Sequence, residues 1–211
     1  MRITVFGASG GTGKHVVRQA LSRGHDVIAV VRRPDALALT DKRLSVRRGD
    51  VLEPNSIAQA IEEAEAVISA LGAHTGRTPT TIYSEGISNI VAALTATGAS
   101  RLVAITAAPV GPRGEASTFE RLVAYPLLEF FFGTNYDDMR RMEKVLSRSG
   151  VDWTVFRPPM LTDREAKGNY RTSTAGTLPR AYAITRGDLA TAILDSVTDD
   201  SLVRHFVAIA N

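Results

Sequence analysis

Residues 1–33, MRITVFGASGGTGKHVVRQALSRGHDVIAVVRR, decide how the rest of the chain is read. The run Arg2 to Phe6 is apolar, rich in β-branched residues and too short for a helix. Gly7-Ala8-Ser9-Gly10-Gly11-Thr12-Gly13 follows at once, so the pattern predicts strand, tight turn, helix. Glycines at 7, 10 and 13 allow a sharp bend, a close approach of backbone to a ligand, and tight packing of helix on strand. The predicted helix, Gly11 to Arg23, carries Val16, Val17, Ala20 and Leu21 on one face and aims free N–H groups at the turn. Val27 to Val31 then completes a βαβ unit, and the whole reads as a dinucleotide site built from Gly7, Ser9, Gly10, Gly11, Thr12 and Gly13.

The end of the second strand selects the nucleotide. A free ribose 2′-hydroxyl calls for a carboxylate there and a 2′-phosphate calls for arginine. Here the strand ends in Arg32-Arg33-Pro34, and the first carboxylate, Asp35, lies beyond the proline. Paired guanidinium hydrogen bonds favour NADP(H) over NAD(H).

At 211 residues the chain suits one α/β domain. Its 44% apolar and 22% charged residues are ordinary for a soluble globular protein, and the net charge of +3 is too small and scattered to argue for a nucleic-acid partner. Without cysteine there is no disulfide, thiolate or Cys-based zinc chemistry, and His15, His25, His74 and His205 show no ligand spacing. No apolar run approaches membrane-spanning length, and Met1 leads straight into a core strand, so no membrane partner and a cytoplasmic location are expected.

Further strands are predicted at Leu44 to Arg48, Ala66 to Leu71, Arg101 to Thr106, Val151 to Phe156 and Val203 to Ala210. Helices fall at Asn55 to Glu63, at Thr80 to Thr97 behind Pro79, and at Leu189 to Val197 behind a Thr185 cap with Asp188 three residues on. The alternation predicts a single-domain Rossmann fold over 1–211: a doubly wound parallel sheet with helices on both faces. Small pocket insertions are expected at about 109–133 and 161–184, and 168–179 reads as irregular. Ligands sit outside the carboxyl ends of such strands, which points to Leu71 and Gly72. Asp50 either accepts from the adenine amino group, with Val51 packed on the ring, or begins the turn before the next helix. Thr106 is the candidate catalytic residue: its hydroxyl either donates to nicotinamide or acceptor, or caps the strand end. The apolar segment 119–132 (FERLVAYPLLEFFF) is a lid, buried core or subunit contact, and the oligomeric state stays open.

With GASGGTG, VVRR, RRGDVLEP, VISALG, PTTIYSEGISNIVAA, VAIT, MEKVLSRSGVDWTVFRPP and ITRGDLA together, the chain resembles the atypical short-chain dehydrogenases/reductases. Within them it is most similar to the biliverdin-IXβ reductase, or NADPH-dependent flavin reductase, group, almost from end to end. The resemblance implies an NADP(H)-bound Rossmann domain reducing flavins, tetrapyrroles or related flat acceptors, with Thr106 and Pro158 among the cofactor contacts. It also aligns the usual Ser, Tyr and Lys of short-chain dehydrogenases with Ala107, Asn135 and Met139, none of which can do acid–base work. Tyr136 and Arg140 have the four-residue spacing but lie about 100° around the helix. Two positions that are His in the biliverdin-IXβ reductase group fall on Met139 and Met160, which makes the substrate pocket, with Ala107, softer and less polar.

A ketone needs a proton donor at its oxygen, whereas a flavin or quinone draws its proton from water. The expected activity is therefore hydride transfer from NADPH to a flat conjugated, small-molecule acceptor. The alternative is a non-catalytic NADP(H)-binding redox sensor of the NmrA type.

Overall fold

A computed structural model of the chain describes residues 1–73, 78–98, 101–112, 125–176 and 178–211. The first βαβ unit is β1 (Arg2–Phe6), α1 (Gly11–Ser22) and β2 (Asp26–Val31), followed by β3 (Leu44–Arg48), α2 (Pro54–Glu62) and β4 (Ala66–Ser69). Then come α3 (Ser84–Thr97), β5 (Arg101–Ile105), α4 (Tyr125–Arg148), β6 (Asp152–Arg157), β7 (Met160–Thr162), β8 (Arg171–Ser173), β9 (Ala183–Thr185), α5 (Arg186–Ser196) and β10 (His205–Ala210).

Eight strands form one sheet in the order β3-β2-β1-β4-β5-β6-β10-β8. Every pairing is parallel except that of β8, which runs antiparallel along β10. The parallel strands are Val/Ile/Leu-rich because helices cover both faces. Along β1, Ile3 and Val5 pack with α1 and α5 (Val16, Val17, Leu189, Ile193), while Phe6 packs with α2, α3 and α4 (Ile57, Ile87, Met142, Leu146). The doubly wound Rossmann arrangement expected from the sequence is the observed one.

Three details differ from the sequence expectation. The stretch 168–179 contains β8, whose two-residue alternation was hidden because it is an exposed, polar edge strand of three residues. The segment 119–132 is not a separate unit: 119–124 lie outside the described residues, and Tyr125 onward is the start of one 24-residue helix. Leu127, Phe130 and Phe131 on it are more than half exposed, which rules out a buried-core role for them. The third helix begins at Ser84, not Thr80, since the Thr80 hydroxyl accepts from Ile82 N–H and closes a local turn instead.

That late start has a tertiary cause. No side chain local to the N-terminus of α3 caps it; Asp138, fully buried on α4, accepts from the backbone N–H of Tyr83 (2.9 Å) and Ser84 (3.4 Å) and from the Ser84 hydroxyl. Arg141 Nη2 lies 3.2 Å from the same carboxylate. A cap supplied across space by a neighbouring helix satisfies orphan amides as a local one does, and ties α3 to α4 as well. Asp138→Ala strands two amides in a dry site and is expected to destabilise the fold by about 2–4 kcal/mol in urea denaturation, with Asp138→Asn milder.

Candidate active site

The glycine turn is shaped by what it must not touch. Gly7 takes φ +74°, and a Cβ there would overlap the Ala70 carbonyl at the end of β4. Gly13, one turn into α1, sits so close to Gly7 that a Cβ would overlap the Gly7 carbonyl. α1 is thereby drawn onto β1, and its first N–H groups open into a cleft of about 470 Å³ over the carboxyl ends of β1, β2, β4 and β5. Strand order reverses between β1 and β4, the position at which doubly wound sheets bind ligands.

Of the residues expected at the cofactor, the cleft gathers Gly7, Ser9, Gly10, Gly11 and Thr12 at the turn. Arg32, Arg33, Asp50, Val51, Leu71, Gly72 and Thr106 line it as well, with Val51 and Leu71 side by side over Gly86. Gly13 lies outside it, because its role is the helix–strand packing just described. Pro158 is also outside: it is buried, and its carbonyl accepts from Ala108 N–H at 2.8 Å. Asp50 serves the turn through Oδ1, which accepts from Leu52 N–H (3.0 Å), while still facing the cleft. Past Arg32 and Arg33 the cleft continues as an open groove shared with Arg48 of β3. Among the described residues these three arginines form no ion pair.

Thr106 is not free to donate. Its hydroxyl donates to Glu143 Oε1 (2.9 Å), and Glu143 is held in turn by Arg157 through Nε (2.9 Å) and Nη2 (2.7 Å). The Arg157 guanidinium stacks 4.1 Å from the Phe206 ring centre. All of Thr106, Glu143 and Arg157 are buried, so the network fixes the Thr106 rotamer and leaves its oxygen to face the cleft as an acceptor. The expectation of Thr106 as a donor is corrected accordingly.

The pocket assignments divide. Met139 lines the cleft, but Ala107 does not, and Met160 is 65% exposed on the outer side of β7. Neighbouring strand residues point oppositely, and it is Leu161 that faces in. Tyr136 is buried away from the cleft, and Arg140 is committed to Glu129 (2.6 Å) and Asp137 (2.9 Å). Two polar residues here were missed by the sequence reading: Tyr83 and Arg186.

Arg186 opens α5, placed there by Thr185, whose hydroxyl accepts from Asp188 N–H (3.0 Å). Its side chain lies against α1 so closely that a Cβ on Gly11 would come within 2.5 Å of Arg186 Nε. Asp163 holds the guanidinium at 2.7 Å, and that carboxylate is itself mostly exposed. Asp188 anchors the same region: it accepts from Lys167 N–H, Gly168 N–H, Thr185 and Asn211. Burial would raise the Asp188 pKa, but these hydrogen bonds hold it below the ordinary carboxylate value. Its stabilising contribution is therefore full at neutral pH and lost as pH falls through the lowered value. Asp188→Asn should remove that acid-sensitive part of stability, read as thermal melts between about pH 5 and pH 3. Arg186→Ala removes a cation poised over the anion-binding turn, so dinucleotide affinity should fall about 5- to 30-fold by equilibrium titration, with the melting curve little changed.

Comparison with known proteins bears on the fold and the family. An uncharacterised chloroplastic protein of Arabidopsis thaliana is 33% identical over 176 residues, covering 80% of this chain, and the chain spans 62% of that relative's length. Among solved structures, the oxidoreductase ylbE of Lactococcus lactis superposes with a TM-score of 0.84 at 18% identity, covering 100% of this chain and 91% of the other. ChuY, an anaerobilin reductase of Escherichia coli O157:H7, gives 0.81 at 22%, covering 100% and 97%. At these identities the structural likeness is one of fold. Residues 7–200 match the NAD(P)H-binding family, and the chain belongs to it.

Proposed function

We propose that the protein is an NADPH-dependent reductase that delivers hydride to a flat conjugated acceptor such as a flavin, a quinone or a tetrapyrrole-like molecule. The observation that carries this reading is one cleft that joins two kinds of wall: cations, Arg32 and Arg33, together with the glycine turn, and apolar side chains, Leu71, Ile82, Met139 and Leu161. The sequence resemblance to the biliverdin-IXβ reductase and flavin reductase group, and the fold shared with the reductase ChuY, support it.

In this reading Arg32, Arg33 and Arg48 take the 2′-phosphate, Ser9, Thr12 and the first N–H groups of α1 take the pyrophosphate, and Val51 packs beside the adenine. The fit rests on the glycine turn, whose close packing on β4 opens the first N–H groups of α1 into the cleft, and on arginines that form no ion pair among the described residues. When bound, the reduced cofactor supplies the hydride. The chain's part is to hold two rings in contact: Thr106 offers its oxygen to the nicotinamide amide, and Met139 and Leu161 form an apolar, deformable wall against the acceptor. The non-catalytic sensor remains the second reading, favoured by Ala107, Asn135 and Met139 at the usual Ser, Tyr and Lys positions.

Steady oxidation of NADPH on adding FMN or menadione is the expected result, and tight NADPH binding with no oxidation by any acceptor overturns the reductase in favour of the sensor. Arg32→Ala should weaken NADPH binding about 10- to 100-fold while leaving NADH unchanged within about twofold; equal effects on both would refute the 2′-phosphate assignment.

A further inference from the structure

The apolar wall of the cleft holds a hydroxyl that the short-chain dehydrogenase pattern does not place there. Tyr83, the residue just before α3, is 4% exposed and lines the cleft together with Ile82, Met139 and Thr106. Its backbone N–H is clamped by Asp138, which fixes where the ring starts. Its phenolic oxygen accepts from Ala73 N–H at 2.9 Å, which fixes where the ring ends, beside the Leu71-Gly72 rim. Accepting there leaves the O–H proton over, and among the described residues nothing takes it. Thr106 differs, since its proton is spent on Glu143.

We infer that Tyr83 is the hydrogen-bond donor to the acceptor, aimed at a carbonyl oxygen conjugated to the atom that receives hydride. The inference rests on the reductase reading and narrows it to acceptors bearing such an oxygen, quinones and the isoalloxazine of flavins, over flat acceptors without one. Two electrons and one hydrogen enter the acceptor as hydride. The new bond to hydrogen forms as the π-bond at the receiving atom gives way, the C=N bond of a flavin or the conjugated system of a quinone, and negative charge spreads onto the conjugated oxygen. The balancing proton comes from solvent, to a quinone oxygen or a flavin ring nitrogen, and Tyr83 keeps its own throughout. A neutral donor aimed at developing charge in a dry site acts by lowering the energy of that charge, with no proton to recover afterwards. The side chain suits this: burial raises the Tyr83 pKa above its usual value, the Ala73 N–H opposes that rise and the Asp138 charge adds to it, so the phenol stays protonated.

Tyr83→Phe tests the assignment, because it keeps the ring and removes only the hydroxyl. With menadione and FMN as acceptors, kcat/KM should fall about 10- to 100-fold. With methylene blue, a flat hydride acceptor lacking oxygen, it should change less than about threefold, and NADPH Kd should move less than about twofold. A residue that merely braced the Ala73 loop would lower all three acceptors alike, so a uniform loss, or no loss, overturns the inference. Should the unaltered protein oxidise NADPH with none of the three, the reductase reading falls and Tyr83 is judged on binding alone. Calorimetric titration of the NADP⁺-saturated protein with anthraquinone-2-sulfonate should then show affinity at least about fivefold weaker in Tyr83→Phe, and equal affinity overturns the donor.

Discussion

Three backbones meet where β1 turns into α1, and none of them leaves room for a Cβ. Gly7 presses on the Ala70 carbonyl at the tip of β4, and Gly13 presses on Gly7. This double contact sets the angle at which α1 leaves the sheet and the width of the gap between β1 and β4. An anion-binding helix end at a topological switch point depends on both. A single methyl at either glycine would push α1 outward and lift its N–H groups away from the cleft. The same crowding explains why Arg186 can lie across Gly11: without a side chain there, α5 and α1 pack close enough for a guanidinium to reach the turn.

The part of the cleft lined by Tyr83, Thr106 and Met139 is organised by α4, through two buried carboxylates that serve different neighbours. Asp138 reaches sideways to the amides that start α3 and so places Tyr83. Five residues on, Glu143 reaches the end of β5 and β6, where it takes the Thr106 hydroxyl and the Arg157 guanidinium. A buried carboxylate is tolerable only when it is fully hydrogen-bonded, and both meet that condition. Each network thus satisfies a buried charge and helps to place a side chain that lines the cleft, Tyr83 through Asp138 and Thr106 through Glu143.

The consequence is a cleft with mixed walls: the guanidinium groups of Arg32, Arg33 and Arg186, the backbone N–H groups of the turn, the hydroxyls of Thr106 and Tyr83, and aliphatic and thioether side chains. Such a lining favours an anionic nucleotide through its phosphates.

How far the sequence reaches follows from the range of the forces involved. The glycine turn, the paired arginines after β2, the Thr185 cap of α5 and the Val/Ile runs of the central strands are local: each signal is contained in a few adjacent residues, and each was legible as written. So too were the sheet and its two helical faces, since strand, helix and strand in short alternation admit few packings. What lay beyond the sequence depends on partners 37 to 175 residues away. Asp138 delays α3 from 55 positions downstream, Glu143 accepts the Thr106 hydrogen bond across 37, and Arg186 arrives over Gly11 from the far end of the chain. Met160 and Leu161 were confused for a related reason: which side of a three-residue strand faces a cleft is set by its pairing with β9, not by its own composition. Local backbone preference and hydrophobic period thus determined the frame and the cofactor turn. The tertiary fold alone decided how the hydroxyls lining the cleft are bonded, because whether a hydroxyl donates or accepts depends on what long-range packing sets beside it.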